Sequence, residues 1–344
     1  MSEIRRIVIR RARNAFITIL GIMALNFFLI NIMGDPVRLL SPRDPKTPPE
    51  YWLQNCIRFG LCGPDGKPLD LLTRFYLYLV NTFTGNWGVS YVWKIPVFDL
   101  LMRVMPWTLM LVGLSTVLTI LLGMVIGAVS AQRRGKAFDI VSTGLGLFFY
   151  GMPVFWLGLV LQLGFGETQF GQKQFGLNWW PTFPRSGEFD YNTGYPFTWQ
   201  TTQIVSVLQH LVLPALTLTL GFYAGVSLIM RNSLIDVMTE DYVVTARAKG
   251  LAERLILRRH ILPNGMSPMV TLIALDMAFI FGGAYQVEYV FSYEGIGWLT
   301  ISAIDTLDFP VIQFIVVLGG VAVVLANFLA DLVLLKIDPR IKVT

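Results

Sequence analysis

Charged side chains are scarce in this chain, making up 14% of 344 residues. A soluble domain carries nearer a quarter. There is too little polar side chain to cover a water-exposed surface, and a soluble globular fold is excluded. Histidine is scarcer still: His210 and His260 are the only two, and they are expected near opposite faces of a membrane, where they cannot serve one site. No phosphate-binding loop is present, because Gly135-Lys136 is followed by Ala137 and Ser130 stands where the first glycine is required. The Gly-x-Ser-x-Gly elbow and the His-Glu-x-x-His helix are also missing. No residue is therefore nominated for catalysis, cofactor binding or metal binding, and an intramembrane hydrolase or transferase has no support. Repeats and low-complexity tracts are lacking, and 31 glycines and 18 prolines are too few for a fibrous or disordered chain.

What is present is apolar. Hydrophobic residues make up 54% of the chain, and the mean hydropathy is +0.59. A bilayer-spanning helix needs about 20 mostly apolar residues. Six segments qualify: 14–33, 104–132, 140–165, a stretch within 205–230, 266–287 and 309–335. Asp276 interrupts the fifth, and Asp331 falls near the end of the sixth. The first is too long, and too soon followed by further spans, to read as a cleaved signal peptide.

Lysine and arginine near span ends orient the chain, because cytoplasmic loops retain them. Segments 1–13, 131–139, 231–260 and 336–344 hold 17 basic residues, all on one side if there are six spans. The other side holds 10, eight of them in the long segment 34–103, whose length makes its charge uninformative. Both termini are expected in the cytoplasm. Topology then accounts for the net charge of +5, and nucleic acid is not an expected partner.

On the outer side, 34–103 is long enough for a small cap, with a proline-rich linker at 41–49 and a helical piece at 71–80. The connection 166–202 is rich in Trp, Tyr, Pro and Gly. Its aromatics read as interfacial anchors or as binding residues. Cys56 and Cys62 both lie in the first outer segment. Placement in an oxidising compartment makes them a candidate disulfide, with two free thiols as the alternative. Zinc would need four ligands, and no histidine lies nearby.

The most informative stretch lies between the fourth and fifth spans. Thr239 is a candidate N-cap, Glu240 and Asp241 follow where the helix dipole favours acids, and Gly250 is a natural C-terminal stop. A second short helix is expected from about 252, which Pro263 ends or redirects. The small residues Ala246, Ala248 and Gly250 would permit close approach by a partner. A solvated amphipathic connection is the bland alternative.

From Gly250, nine residues lead to position 260, and Leu262-Pro263 follows. This spacing resembles the permease loop motif of ABC importers, whose usual form is Glu-Ala-Ala, three residues, Gly, nine residues, Ile-x-Leu-Pro. The chain is similar in particular to permeases of the dipeptide and oligopeptide type. Supporting runs are Gln209-His-Leu-Val-Leu-Pro-Ala-Leu-Thr217, Asp241-Tyr-Val-Val-Thr-Ala-Arg-Ala-Lys-Gly-Leu251, Val287-Glu-Tyr-Val-Phe-Ser-Tyr-Glu-Gly-Ile-Gly297, Asp308-Phe-Pro-Val-Ile-Gln313 and Asp338-Pro-Arg-Ile341. These cover mainly the half after residue 200, with a weaker likeness at Gly85-Asn-Trp-Gly88 and the second span. Val244-Thr245 departs from Glu-Ala and His260 from Ile, while Ala246, Gly250, Leu262 and Pro263 match.

The resulting expectation is an all-α membrane protein of six transmembrane helices with the type I ABC importer permease architecture and an enlarged first extracytoplasmic loop. Residues 1–33 form the N-terminus and first span, 34–103 the outer segment, and 104–344 a five-helix core carrying a coupling loop at 232–264. The resemblance implies half of a translocation pathway, completed in the bilayer by a second related permease. It also implies two cytoplasmic ATPases docked on the loops and an extracytoplasmic binding protein. ATP hydrolysis would reside in the ATPases. Short peptides lead as substrate, with oligosaccharide or a nickel chelate as alternatives. An ion-coupled secondary transporter is the rival class, and Asp276, the acid deep within a span, is a candidate for the pathway or for helix packing.

Overall fold

The fold, a computed structural model, describes residues 2–33, 53, 54, 56, 57, 61–63, 65–166, 181–193, 197–269, 272, 273 and 284–337. Among these the regular structure is helical, with only isolated β-bridges beside it. In chain order the elements are α1 (Ser2–Met33), α2 (Leu71–Thr84), α3 (Val97–Gln132), α4 (Ala137–Tyr150), α5 (Val154–Phe165) and α6 (Thr201–Met238). They continue as α7 (Asp241–Ala248), α8 (Glu253–Ile256), a π-helical turn (Leu257–Ile261), α9 (Leu262–Gly265), α10 (Tyr285–Val290), α11 (Ile296–Asp305) and α12 (Phe309–Ile337).

Four helices contain stretches long and apolar enough to cross a bilayer: Val8–Ile32, Val97–Gln132, Thr201–Met238 and Phe309–Phe328. The span expected over 140–165 is not one helix, because α4 and α5 meet at a bend of 103°. The cause is local. Pro153 has no N–H and disfavours helical backbone in the residue before it, so α4 stops at Tyr150 and Pro153 becomes the N-cap of α5. The fifth expected span falls largely outside the described residues, as does Asp276. Six spans are therefore not what the described residues count: they supply four, or five if the bent pair is one span.

The chain divides into two compact units. The first comprises Met1–Met105 and Leu299–Phe328. Here α2 runs antiparallel to α1: Arg74 donates to Asn31 Oδ1 at 2.8 Å, Phe75 stacks on Phe28, Tyr78 on Phe27, and Phe83 approaches Phe16. Asp70 caps α2 by accepting the Thr73 amide, and Gly85, at φ +79°, ends it in the left-handed conformation. The helix is one turn longer than the expected 71–80. Asn26 donates to the Gln313 carbonyl at 3.0 Å, and Trp87 stacks on Phe314 at 3.8 Å between ring centroids. The buried Asp308 carboxylate accepts the Ser90 hydroxyl and the amides of Tyr91 and Val92, pinning that turn at the start of α12. Cys56 and Cys62 are bonded to each other, with Cα atoms 5.2 Å apart, and pack against Leu61 and Tyr91.

The second unit comprises Pro106–Trp298 with Leu329–Thr344. Its long helix is α6, against which α4, α5 and the lower part of α3 pack. Gly123 and Gly127, one turn apart on α3, face Val226 and the Ser227 carbonyl so closely that a Cβ at either would clash. Without a hydrophobic drive between helices in lipid, such close backbone approach is what brings dispersion contacts together. One apolar cluster joins Leu111, Val207, Leu211, Leu218, Val287, Phe291 and Tyr293.

Candidate functional site

The segment after α6 is where spacing and geometry meet. Thr239 does not cap α7 as expected: its backbone is helical, it ends α6, and its hydroxyl donates back to the Asp236 carbonyl at 2.7 Å. An N-cap needs extended backbone, and Glu240 has it, at ψ 143°, though no side-chain bond accompanies it. Helix α7 buries Val243 and Ala246 and leaves Tyr242, Val244, Arg247 and Lys249 exposed.

Its end forms a two-bond glycine stop. The Gly250 amide donates to the Arg247 carbonyl at 2.9 Å, and the Leu251 amide to the Ala246 carbonyl at 3.4 Å. Gly250 has φ +74°, where a side chain is strained although no atom lies within 4 Å of where its Cβ would stand. Arg247 Nε then reaches across the turn to Glu253 Oε1 at 2.8 Å. Both groups are solvated, so this ion pair contributes little to stability, about 0–1 kcal/mol.

Pro263 does not end the second helix. The preceding turn widens to π geometry over Leu257–Ile261, and Pro263 enters the first turn of α9, where no N–H is needed. Ser233 on α6 donates to the Gly265 carbonyl at 2.9 Å, and Gly265 sits against Leu234 too closely for a side chain. The loop is thus held to the end of α6 by one apolar cluster containing Met230, Leu234, Val243, Ala246, Ile256, Ile261 and Met269. Of the four motif residues, Ala246 faces that cluster, Leu262 is partly buried, and Gly250 and Pro263 are exposed. Small size at Ala246 therefore serves packing onto α6 rather than approach by a partner. The outward surface carries Tyr242, Val244, Leu251 and Leu255 among Arg247, Lys249, Arg254, Arg258 and Arg259. Apolar side chains exposed on a basic face suit contact with a protein or a membrane surface.

A second constellation lies at the N-terminus of α11. Glu288 is fully buried, and its carboxylate accepts Thr108 Oγ1 at 3.0 Å and the amides of Ala284, Gly297 and Trp298 at 3.2, 2.7 and 3.1 Å. The Ile296 amide donates to Thr108 Oγ1 at 2.7 Å. A carboxylate at a helix N-terminus satisfies amides that have no partner in the helix. A Cβ on Gly295 would strike Thr108 and Glu288, and one on Gly297 would strike the Tyr285 backbone. Burial pushes the Glu288 carboxyl above its usual range, against the hydrogen bonds that lower it. The sequence showed the acid and the two glycines as parts of a run; what it did not show was that they form one knot.

Residues 123–343 match the family described as the binding-protein-dependent transport system inner membrane component. The chain is 32% identical over 337 residues to the oligopeptide transport system permease protein AppB of Bacillus subtilis, covering 97% of this chain and 98% of that one. Identity is 33% over 336 residues to the glutathione transport system permease protein GsiC of Pectobacterium atrosepticum, and 30% over 350 residues to the dipeptide transport system permease protein DppB of Escherichia coli. Each alignment spans 97% of this chain and 98% of the relative. Among solved structures, a chain of the inward-facing MetNI methionine ABC transporter superposes with TM-score 0.50 and 16% identity, covering 70% of this chain and 97% of that one. The chain belongs to the inner-membrane permease family of binding-protein-dependent transport systems. It is an all-α, multi-pass membrane protein with the ABC importer permease fold.

Proposed function

We propose that this permease forms half of the translocation pathway of an ATP-driven importer of di- and oligopeptides. The observation that carries the substrate class is full-length likeness to three permeases whose names specify oligopeptide, dipeptide and glutathione, all of them short peptides. None of the three names specifies oligosaccharide or nickel, and membership of a binding-protein-dependent family speaks against an ion-coupled carrier working alone.

On this reading both termini and the 232–264 loop face the cytoplasm. A second related permease completes the pathway, and an extracytoplasmic binding protein delivers substrate. Two ATPase subunits supply the hydrolysis, one of them seated on the exposed apolar and basic face of α7 and α8. Closure of the ATPases moves that loop, and the loop moves α6 by the buried contacts of Val243, Ala246 and Ile256. The switch between inward- and outward-facing arrangements is then a rigid-body change of a bistable interface.

Deleting the reading frame in its host and following radiolabelled di- and tripeptides tests this. Uptake should fall to background and return with the gene. It should be blocked by vanadate and survive collapse of the ion gradient by ionophores. Uptake that follows the ion gradient instead, or that is unaffected by the deletion, overturns the proposal.

A further inference from the structure

The end of the second unit that carries α7 also carries a charge pair whose two partners stand 92 residues apart in sequence. Asp139 lies in the first turn of α4 and is 4% exposed. Its Oδ1 accepts Arg231 Nε at 2.6 Å, and its Oδ2 accepts Arg231 Nη2 at 2.8 Å, fork on fork. The Gly135 amide donates to the same Oδ2 at 2.8 Å, which fixes the turn between α3 and α4 to the pair. Arg231 Nη1 donates to Asn232 Oδ1 at 3.2 Å, so all three guanidinium nitrogens have an acceptor, two on Asp139 and one on Asn232. Nearby, the hydroxyls of Ser130 on α3 and Ser142 on α4 lie 2.9 Å apart.

Position gives the pair its meaning. Arg231 sits two turns before α6 ends at Met238, and its neighbours Met230 and Leu234 belong to the cluster that grips Val243, Ala246 and Ile256. The last turns of α6 are therefore held by the loop through apolar contacts and by α4 through the ion pair. Beyond α4 lies the 103° bend into α5. Apolar contacts permit sliding, whereas a bidentate guanidinium–carboxylate fork fixes angle and register. Helix α6 thus meets α7 by packing, and meets α4 both by packing, as of Gly146 on Ala224, and by this fork near its end.

We infer that Asp139 and Arg231 are a positioning pair that transmits displacement of the coupling loop to the bent α4–α5 helix. The inference rests on the proposed importer function. It differs from a stability role in one respect: the pair is partly solvated, with the Arg231 side chain 22% exposed and that of Asp139 5%, so replacing both members together strands no charge, while removing one leaves the other uncompensated. A pair kept for stability can be neutralised together; a pair kept for transmission cannot.

The test uses the complete transporter, with this chain, its partner permease and the ATPases, reconstituted in liposomes with the binding protein and a transported peptide. ATP hydrolysis is measured with and without peptide-loaded binding protein. The double variant Asp139→Asn with Arg231→Gln should assemble and hydrolyse ATP at the unstimulated wild-type rate. Its stimulation by substrate should fall about tenfold, within the range of ordinary coupling free energies, and transport should fall with it. Arg231→Lys, which keeps the charge and loses the fork, should fall between. Wild-type stimulation in the double variant overturns the inference, the more so if Asp139→Asn alone fails to assemble. Should the double variant not assemble, Arg231→Lys decides: reduced stimulation supports transmission, and wild-type stimulation removes it. A wild-type complex that peptide never stimulates is a different result, which overturns the peptide reading itself and with it the basis of the assignment.

Discussion

The Glu288 carboxylate and the Gly297 amide meet at 2.7 Å across nine residues of chain, closing the loop that leads into α11. Glu288→Ala removes the acceptor for four donors at a site with no exposure, and each stranded donor costs on the order of 1–3 kcal/mol. Folded permease should be lost from detergent extracts, as read by size-exclusion yield. Glu288→Gln keeps the shape and one acceptor oxygen, so it should fold with a lowered melting temperature. A melting temperature equal to wild type would show that the knot is dispensable.

Gly127 and Gly113 lie on the same helix and should respond oppositely to the same methyl group. At Gly127 a Cβ meets the Ser227 carbonyl and Met230, whereas at Gly113 nothing lies within 4 Å. Gly127→Ala should destabilise by about 1–3 kcal/mol through overpacking. Gly113→Ala should be neutral or stabilising, because alanine is the better helix former. Thermal unfolding in one detergent compares them directly.

Gly250 carries the coupling assignment. Gly250→Ala meets no atom and strains only the backbone, at about 1 kcal/mol, so transport should persist. Gly250→Glu places charge and bulk on the proposed ATPase face: the permease should insert and pair normally, while stimulated ATP hydrolysis is lost. Wild-type stimulation in that variant would remove the assignment.

Much of this loop was legible from spacing alone. Gly250 after a run of helix formers forecast the left-handed stop, and the motif placed Leu262 and Pro263. The caps were not legible, since Thr239 and Glu240 compete for one boundary and the winner depends on how far α6 continues. The bend at Pro153 was not legible either, because an apolar run of span length hides a break that a single proline imposes. The pairings of Asp139 with Arg231 and of Glu288 with Thr108 cross 92 and 180 residues, and no local pattern reports such distances.

Asp70 gives a pH prediction. The Thr73 hydroxyl, and then the Thr73 amide, hold its carboxyl below the usual range. A lowered folded-state value means that the cap's contribution is present above the unfolded-state value and is lost as pH falls through the folded one. The protection factor of the Thr73 amide in hydrogen exchange should therefore drop on acidification, and Asp70→Ala should abolish that dependence. A pH-independent factor in wild type contradicts the cap.

Cys56 and Cys62 should both resist alkylation in the non-reduced protein, and mass spectrometry should find one intramolecular bridge. Two alkylated thiols without reductant would contradict the bond.

Helix α2 presents apolar side chains in opposite directions. Phe75 and Tyr78 lean on α1, while Leu72 and Tyr76 stand largely bare. Water suits neither side, so α2 is not a helix that can be excised and handled alone. Expressed as a separate fragment, 34–103 should aggregate, and a permease stripped of it would leave Phe27 and Phe28 without their cover. Topology tags, truncations and crystallisation chaperones for this protein belong elsewhere than in α2, one face of which is taken up by α1.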